Sequence, residues 1–133
     1  MAILSFKKRF AGKVRNGSKL QTIRAFRKYP IVPGDTLYLY TALRTKWAKK
    51  LREVKCKSVH GIRIFFNSGT ITISAAGHGY QLLNTTAELN TFAQADGFKN
   101  WEDMKAFWIA EHGVKKGKRK VILKQFVGIL IKW

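Results

Sequence analysis

A lysine ammonium, a threonine hydroxyl and an arginine guanidinium lie close together in the segment Gly17-Ser18-Lys19-Leu20-Gln21-Thr22-Ile23-Arg24. If residues 20–24 are extended, alternation puts Gln21 and Ile23 on one face and Leu20, Thr22 and Arg24 on the other. Thr22 and Arg24 then share a side, with Lys19 where the strand begins. Such a trio can grip a phosphate or a polarised carbonyl, the guanidinium through a bidentate fork. An ordinary edge strand with solvated charges carries the same pattern.

These cations belong to a large excess. The 133 residues hold 26 Lys+Arg against 7 Asp+Glu, a formal net charge of +19. Self-repulsion on that scale opposes compactness unless a polyanion absorbs it, and nucleic acid is the polyanion a cell offers. Placement says more than the total: residues 1–63 carry 17 basic and 2 acidic side chains, residues 64–113 carry 2 and 5, and residues 114–133 carry 7 and none. Solvated surfaces mix both signs, so a segregated excess points to nucleic-acid binding.

A second cationic cluster, Arg44-Thr45-Lys46-Trp47-Ala48-Lys49-Lys50, combines phosphate-tracking charge with one flat ring. That mix holds single strands by stacking plus electrostatics, although a tryptophan there is more often a core plug. The candidate nucleic-acid-binding set is Arg9, Lys19, Gln21, Thr22, Arg24, Arg27, Arg44, Lys46, Trp47, Lys49 and Lys50. Membrane adsorption is disfavoured, because no long amphipathic helix with a Lys/Arg face presents itself.

Other chemistries find little support. Cys56 is the one cysteine, so no intrachain disulfide forms and a reducing, cytoplasmic compartment is expected. His60, His78 and His112 lack ligand spacing, and neither a metal nor an organic cofactor is expected. Met1 to Phe10 has no apolar core of the signal-peptide kind, and the apolar run Phe126 to Ile131 is too short to span a bilayer.

The elements that must position the trio follow from periodicity. Ala2-Ile3-Leu4 reads as a short buried strand, and Phe6, Phe10 and Val14 mark a helix stripe that Ser5 can cap and Gly17 can end. Lys7, Lys8, Arg9, Lys13 and Arg15 occupy its outer face. After the short strand ending at Arg24 and a loop with Pro30, Pro33 and Gly34-Asp35, residues 36–41 form a strand. Leu51 to Phe66 reads as one long strand, turning at Asn67-Ser68-Gly69 into Thr70 to Ile73 as a hairpin.

Thr85 with Glu88, and more loosely Asn100 with Asp103, predict helices over about 85–96 and 101–112. Leu89, Phe92 and Ala93 bury the first; Trp101, Met104 and Trp108, with Phe107 beside them, bury the second. A basic turn from Lys115 to Lys120 leads into a closing strand, Val121 to Ile131, with Gly128 as a candidate bulge. With no repeat, no regular βαβ rhythm and no Gly-rich phosphate loop, the expected fold is a single α+β domain over residues 1–133. Its expected architecture is a small, mostly antiparallel barrel with about three flanking helices.

Lys19-x-x-Thr22-Ile23-Arg24 after a glycine, then Pro33-Gly34-Asp35-Thr36-Leu37-Tyr38-Leu39, and Arg44-Thr45-Lys46 ahead of the basic strand from Leu51, resemble the ASCH domain of the PUA-like superfamily. Phe6-x-x-Arg9-Phe10, Ala95-Asp96-Gly97-Phe98 and the ending Phe126-Val127-Gly128-x-Leu130-Ile131-x-Trp133 are similar to a phage and prophage branch of that family. The resemblance implies a PUA-like barrel with a cleft beside the first helix, RNA binding, and in some members hydrolysis of N4-acetylcytidine or of single-stranded RNA. It further implies Lys19 as base, Thr22 as nucleophile and Asp96 as the assisting carboxylate, in a bacterial or phage-infected cell. Asp96 stands where the pattern has a glutamate, and a carboxylate set back by roughly 1 Å can cost about 10²-fold in rate where positioning dominates.

Three function classes follow. One is a module for single-stranded RNA or a nucleotide; another is a hydrolase acting on a modified nucleoside or on RNA; the last is a phage accessory protein that occludes a host partner.

Overall fold

Alternation in the first residues, with Ala2, Leu4 and Phe6 inward, builds a strand that pairs in parallel with a later one. A computed structural model describes residues 2–74, 79–112, 115–116, 119–120 and 124–133. In it β1 (Ala2–Phe6), β3 (Thr36–Thr41) and β4 (Lys49–Lys55) form one sheet in the order β1-β3-β4. A larger antiparallel sheet holds β2 (Gln21–Arg24), β10 (Gln125–Lys132), β5 (Ser58–Phe65), β6 (Thr70–Ser74) and β7 (Tyr80–Leu83), in that order. Two-residue strands β8 (Lys115–Lys116) and β9 (Arg119–Lys120) pair with each other. Three helices complete the α+β fold: α1 (Lys8–Asn16), α2 (Thr86–Ala95) and α3 (Trp101–His112). Among the described residues neither sheet closes into a barrel.

The first helix starts later than its apolar stripe suggests. Ser5 and Phe6 pair with Tyr40 and Thr41, and the Thr41 hydroxyl donates to the Phe6 carbonyl at 2.9 Å, so sheet pairing claims both residues. Ser5 therefore caps nothing; Lys7 sits at the N-cap without a side-chain hydrogen bond. Phe10 and Val14 still bury the inner face, and Gly17 ends the helix in the left-handed region at φ 84°.

The expected single strand from Leu51 to Phe66 is two strands in different sheets. Cys56 donates its N–H to the Asp35 carbonyl at 2.8 Å and Lys57 donates to the Lys132 carbonyl at 2.8 Å, so these two residues turn the corner between β4 and β5. Lys49 and Lys50 accordingly belong to β4 and not to a connector. Strand β7, which carries no sequence signal, pairs with β6 from Ile71↔Leu83 to Ser74↔Tyr80.

Helices α2 and α3 match their capping signals. The Glu88 N–H donates to the Thr85 hydroxyl at 3.2 Å, and the Asp103 N–H donates to Asn100 Oδ1 at 2.9 Å. Their predicted faces are buried, with Trp101 stacked on Phe66 and Trp108 against Phe126.

Strand β10 lies in the middle of the larger sheet, between β2 and β5. Its register with β5 runs unbroken from Gln125↔Phe65 to Lys132↔Ser58, so Gly128 is no bulge; the irregular step lies at Leu39/Tyr40 in β3. Gly128 is instead a point of close approach, where a Cβ would fall against the Arg24 carbonyl oxygen and within 2.7 Å of the Phe126 ring. Residues 121–123 of the expected closing strand and 117–118 of the basic turn lie outside the described residues.

Two glycine replacements should therefore act in opposite directions. Gly128→Ala forces β2 from β10 and should cost about 1–3 kcal/mol or more, as overpacking does. Gly12→Ala, in the middle of α1 with open space around it, should add about 0.5–1 kcal/mol. Urea unfolding midpoints measure both, and equal effects would contradict this packing.

Candidate functional site

The turn from α1 into β2 is tied by the Lys19 N–H, which donates to the Lys13 carbonyl at 3.0 Å. That tie sends the Lys19 side chain inward, leaving it 3% exposed, past the rings of Phe6 and Phe10 with Nζ 5.7 and 5.0 Å from their centroids. At the end of its reach Nζ donates to the Asp96 backbone carbonyl and to Asp96 Oδ1, the latter at 3.2 Å. Asp96, 4% exposed, is the residue that ends α2, and Lys13 donates to the next carbonyl, of Gly97, at 2.8 Å. Gly97 has φ 94°, and a Cβ there would lie 3.0 Å from Lys19 Cδ and 3.1 Å from Phe10. A larger residue would push the lysine out of place.

Thr22 and Arg24 share one side of β2, as alternation requires. Arg24 Nε donates to Thr22 Oγ1 at 3.1 Å, Nη2 donates to the Ser5 carbonyl at 2.7 Å, and the guanidinium lies 4.9 Å from the Phe6 ring centroid. With its oxygen already accepting from Arg24, the Thr22 hydroxyl is left to donate its own proton. Gln21 is buried too, and its Nε2 has no hydrogen-bond partner among the described residues.

Burial dominates the electrostatics of this pair. It pushes the Lys19 ammonium below its ordinary value, an effect that the Asp96 carboxylate opposes and Arg24 and Lys13 reinforce. It likewise pushes the Asp96 carboxyl up, against the pull of Lys19 and Arg24. Both partners are drawn toward their neutral forms. A lysine that loses its proton can keep both hydrogen bonds to Asp96 and gain a lone pair in the remaining position.

These groups line a cleft of about 320 Å³. Lys19, Thr22, Arg24 and Asp96 form its polar side; Phe6, Phe10, Phe98, Phe107, Trp108 and Phe126 form an aromatic wall, and an ion pair of Lys7 and Glu111 at 2.7 Å lies at the edge. The volume is at the small end for ligand sites and suits a nucleoside-sized molecule. The aromatic wall is the part of the cleft that the candidate set left out: Phe6 and Phe10 stood out as a core stripe and in the family motif, and Phe107 and Trp108 as helix packing in preference to base stacking.

The other candidates lie elsewhere. Arg9 does not line this cleft; it forms an ion pair with Asp103 at 2.7 Å and lies over Phe10, Phe98 and Phe107. Arg27 is exposed beyond the end of β2. Arg44, Lys46 and Trp47 occupy the β3–β4 turn, and none of them lines the cleft. Ala42 and Arg44 adopt positive φ angles of 55° and 65°, and Thr45 donates from its N–H and its hydroxyl to the Ala42 carbonyl. The turn thus holds Trp47 out at 72% exposure, which excludes a core plug, with Lys46 Nζ 4.9 Å from its ring. Lys50 pairs with Glu53 at 3.3 Å, and Lys49 is exposed beside it.

Among the described residues no three His, Cys, Asp or Glu side chains gather as a metal site requires, and no helix is long and apolar enough to cross a membrane. Comparison with protein-family models, with characterised proteins and with solved structures finds no match.

Removing one member of the buried pair should be costly. Asp96→Ala leaves an uncompensated ammonium and should destabilise the fold by about 3–5 kcal/mol, whereas Lys19→Met with Asp96→Leu should recover most of that loss. Urea unfolding of Asp96→Ala, of Lys19→Met and Asp96→Leu singly, and of the two together tests this; additive losses in that pair would mean the two side chains do not interact.

Proposed function

We propose that the cleft holds one nucleotide of a single-stranded nucleic acid, RNA in the first instance. One observation carries this reading: Lys19, Thr22, Arg24 and Asp96 converge on a nucleoside-sized hollow walled by aromatic rings, in a chain of net charge +19. A base stacks on the rings while its edge meets the polar side, and the exposed turn bearing Arg44, Lys46 and Trp47 takes the flanking phosphates and a neighbouring base. The ASCH resemblance supports this, with α1 beside the cleft. On this proposal the two open sheets are halves of a PUA-like barrel that meet at the corner formed by Cys56 and Lys57.

The buried pair favours a second reading, hydrolysis of an acylated base such as N4-acetylcytidine. Neutral Lys19 takes the Thr22 proton as the hydroxyl oxygen attacks the acetyl carbon. Arg24, already donating to that oxygen, favours the developing alkoxide. Lys19 then returns the proton to the departing amine, giving cytidine and an acetyl-threonine ester, which water hydrolyses to acetate. Partner occlusion has no comparable observation behind it.

For a single-stranded RNA decamer, affinity should fall steeply with salt, with a log–log slope of about −0.7 per phosphate contacted, hence roughly −3.5 for five contacts. A flat profile would remove the binding reading. Changing Lys46, Lys49 and Lys50 together to Gln should weaken the decamer and leave any nucleoside turnover intact.

Hydrolysis is followed as cytidine released from N4-acetylcytidine. Because Lys19 must be neutral and burial lowers its pKa, the rate should rise with pH through an inflection below 10.5. Equal product from wild type and from Thr22→Ala would exclude this chemistry.

A further inference from the structure

The larger sheet carries a second groove besides the cleft. Successive side chains of a strand point to opposite faces, and Phe126 lines the cleft while Val127 lines this groove of about 570 Å³. Likewise Ala25 lines the cleft and Phe26 the groove, so consecutive residues beyond β2 belong to the two hollows. Gly61 adds no side chain to a floor that Thr72, Ser74 and Val127 also line, and Phe26, Phe65 and Tyr80 stand around it with Arg63. Phe26 and Tyr80 are 67% and 69% exposed, so these rings are not core residues.

We propose that this groove is a second binding site, a stacking platform for the nucleotides that follow the one in the cleft. The inference rests on the cleft reading, because one strand would occupy both hollows. Charge complementarity selects nucleic acid over a protein surface. None of the seven carboxylates lines the groove, and Arg63 has no ion-pair partner among the described residues. The Arg63 guanidinium lies over the Phe65 ring, 6.0 Å from its centroid, which leaves its N–H groups available to a phosphate. Flat exposed rings admit any base, because each base has a π-face. A strand leaving the cleft past Arg24 and Ala25 meets Phe26 first.

The test compares fluorescein-labelled RNA trimers and decamers by anisotropy. Phe26→Ala with Tyr80→Ala removes two exposed rings and should weaken the decamer tenfold or more while leaving the trimer unchanged. Arg63→Gln should lower the decamer's salt slope by about 0.7. Unchanged decamer affinity in the double variant overturns the proposal. So does a wild-type dimer in sedimentation that the double variant loses, which would assign the face to a second copy of the chain. Arg24→Gln separates the two sites: it should weaken both oligomers. If it weakens neither while the ring variant weakens the decamer, the cleft reading fails and the platform stands; wild type that binds neither oligomer ends both.

Discussion

A buried ammonium bonded to a buried carboxylate is the constraint around which the cleft is assembled. Each ion loses several kcal/mol of hydration on burial, which attraction offsets only when geometry and additional hydrogen bonds are good. Several elements supply that geometry. The α1–β2 turn aims Lys19, the end of α2 presents Asp96 and its carbonyl, and Phe6 and Phe10 flank the lysine. Gly97 leaves room for the lysine chain, and Lys13 fixes the Gly97 carbonyl beside it. A glutamate in place of Asp96 would have one more methylene to fit into this packing, so the shorter side chain is matched to its surroundings.

The uneven charge of the sequence acquires a structural meaning. Two acidic residues of the middle segment, Asp103 and Glu111, lie on α3 and pair with Arg9 and Lys7 on or next to α1. Asp103 is held below the usual carboxylate range, first by the Lys99 N–H and then by Arg9. The acidic stretch is thus partly an internal counterion for the basic helix. Exposed pairs of this kind contribute little stability each, but they commit those cations to the fold. Arg63 and the β3–β4 turn residues Arg44 and Lys46 have no such partner among the described residues.

What the sequence made legible was local. Alternation placed Thr22 with Arg24, capping residues marked both later helices, and Gly17 marked the end of α1, because each signal acts over a few residues. Long-range pairing was less legible. Ser5 and Phe6 continue a helical stripe until β3 captures them, and nothing in the alternation of residues 51–66 records the corner at Cys56. The aromatic wall was hidden for another reason: Phe10 and Trp108 pack the core with one part of the ring and line the cleft with another, and periodicity reports only the first role.

Strand β10 stands between β2 and β5, and β2 has no other partner in its sheet. The strand carrying Thr22 and Arg24 is thus held by one that follows it only after β3 to β9 and all of α2 and α3. Pairing across such a sequence separation is slow to form. A chain cut short before β10 would therefore leave β2, with Thr22 and Arg24, without its only neighbour among the described strands of that sheet.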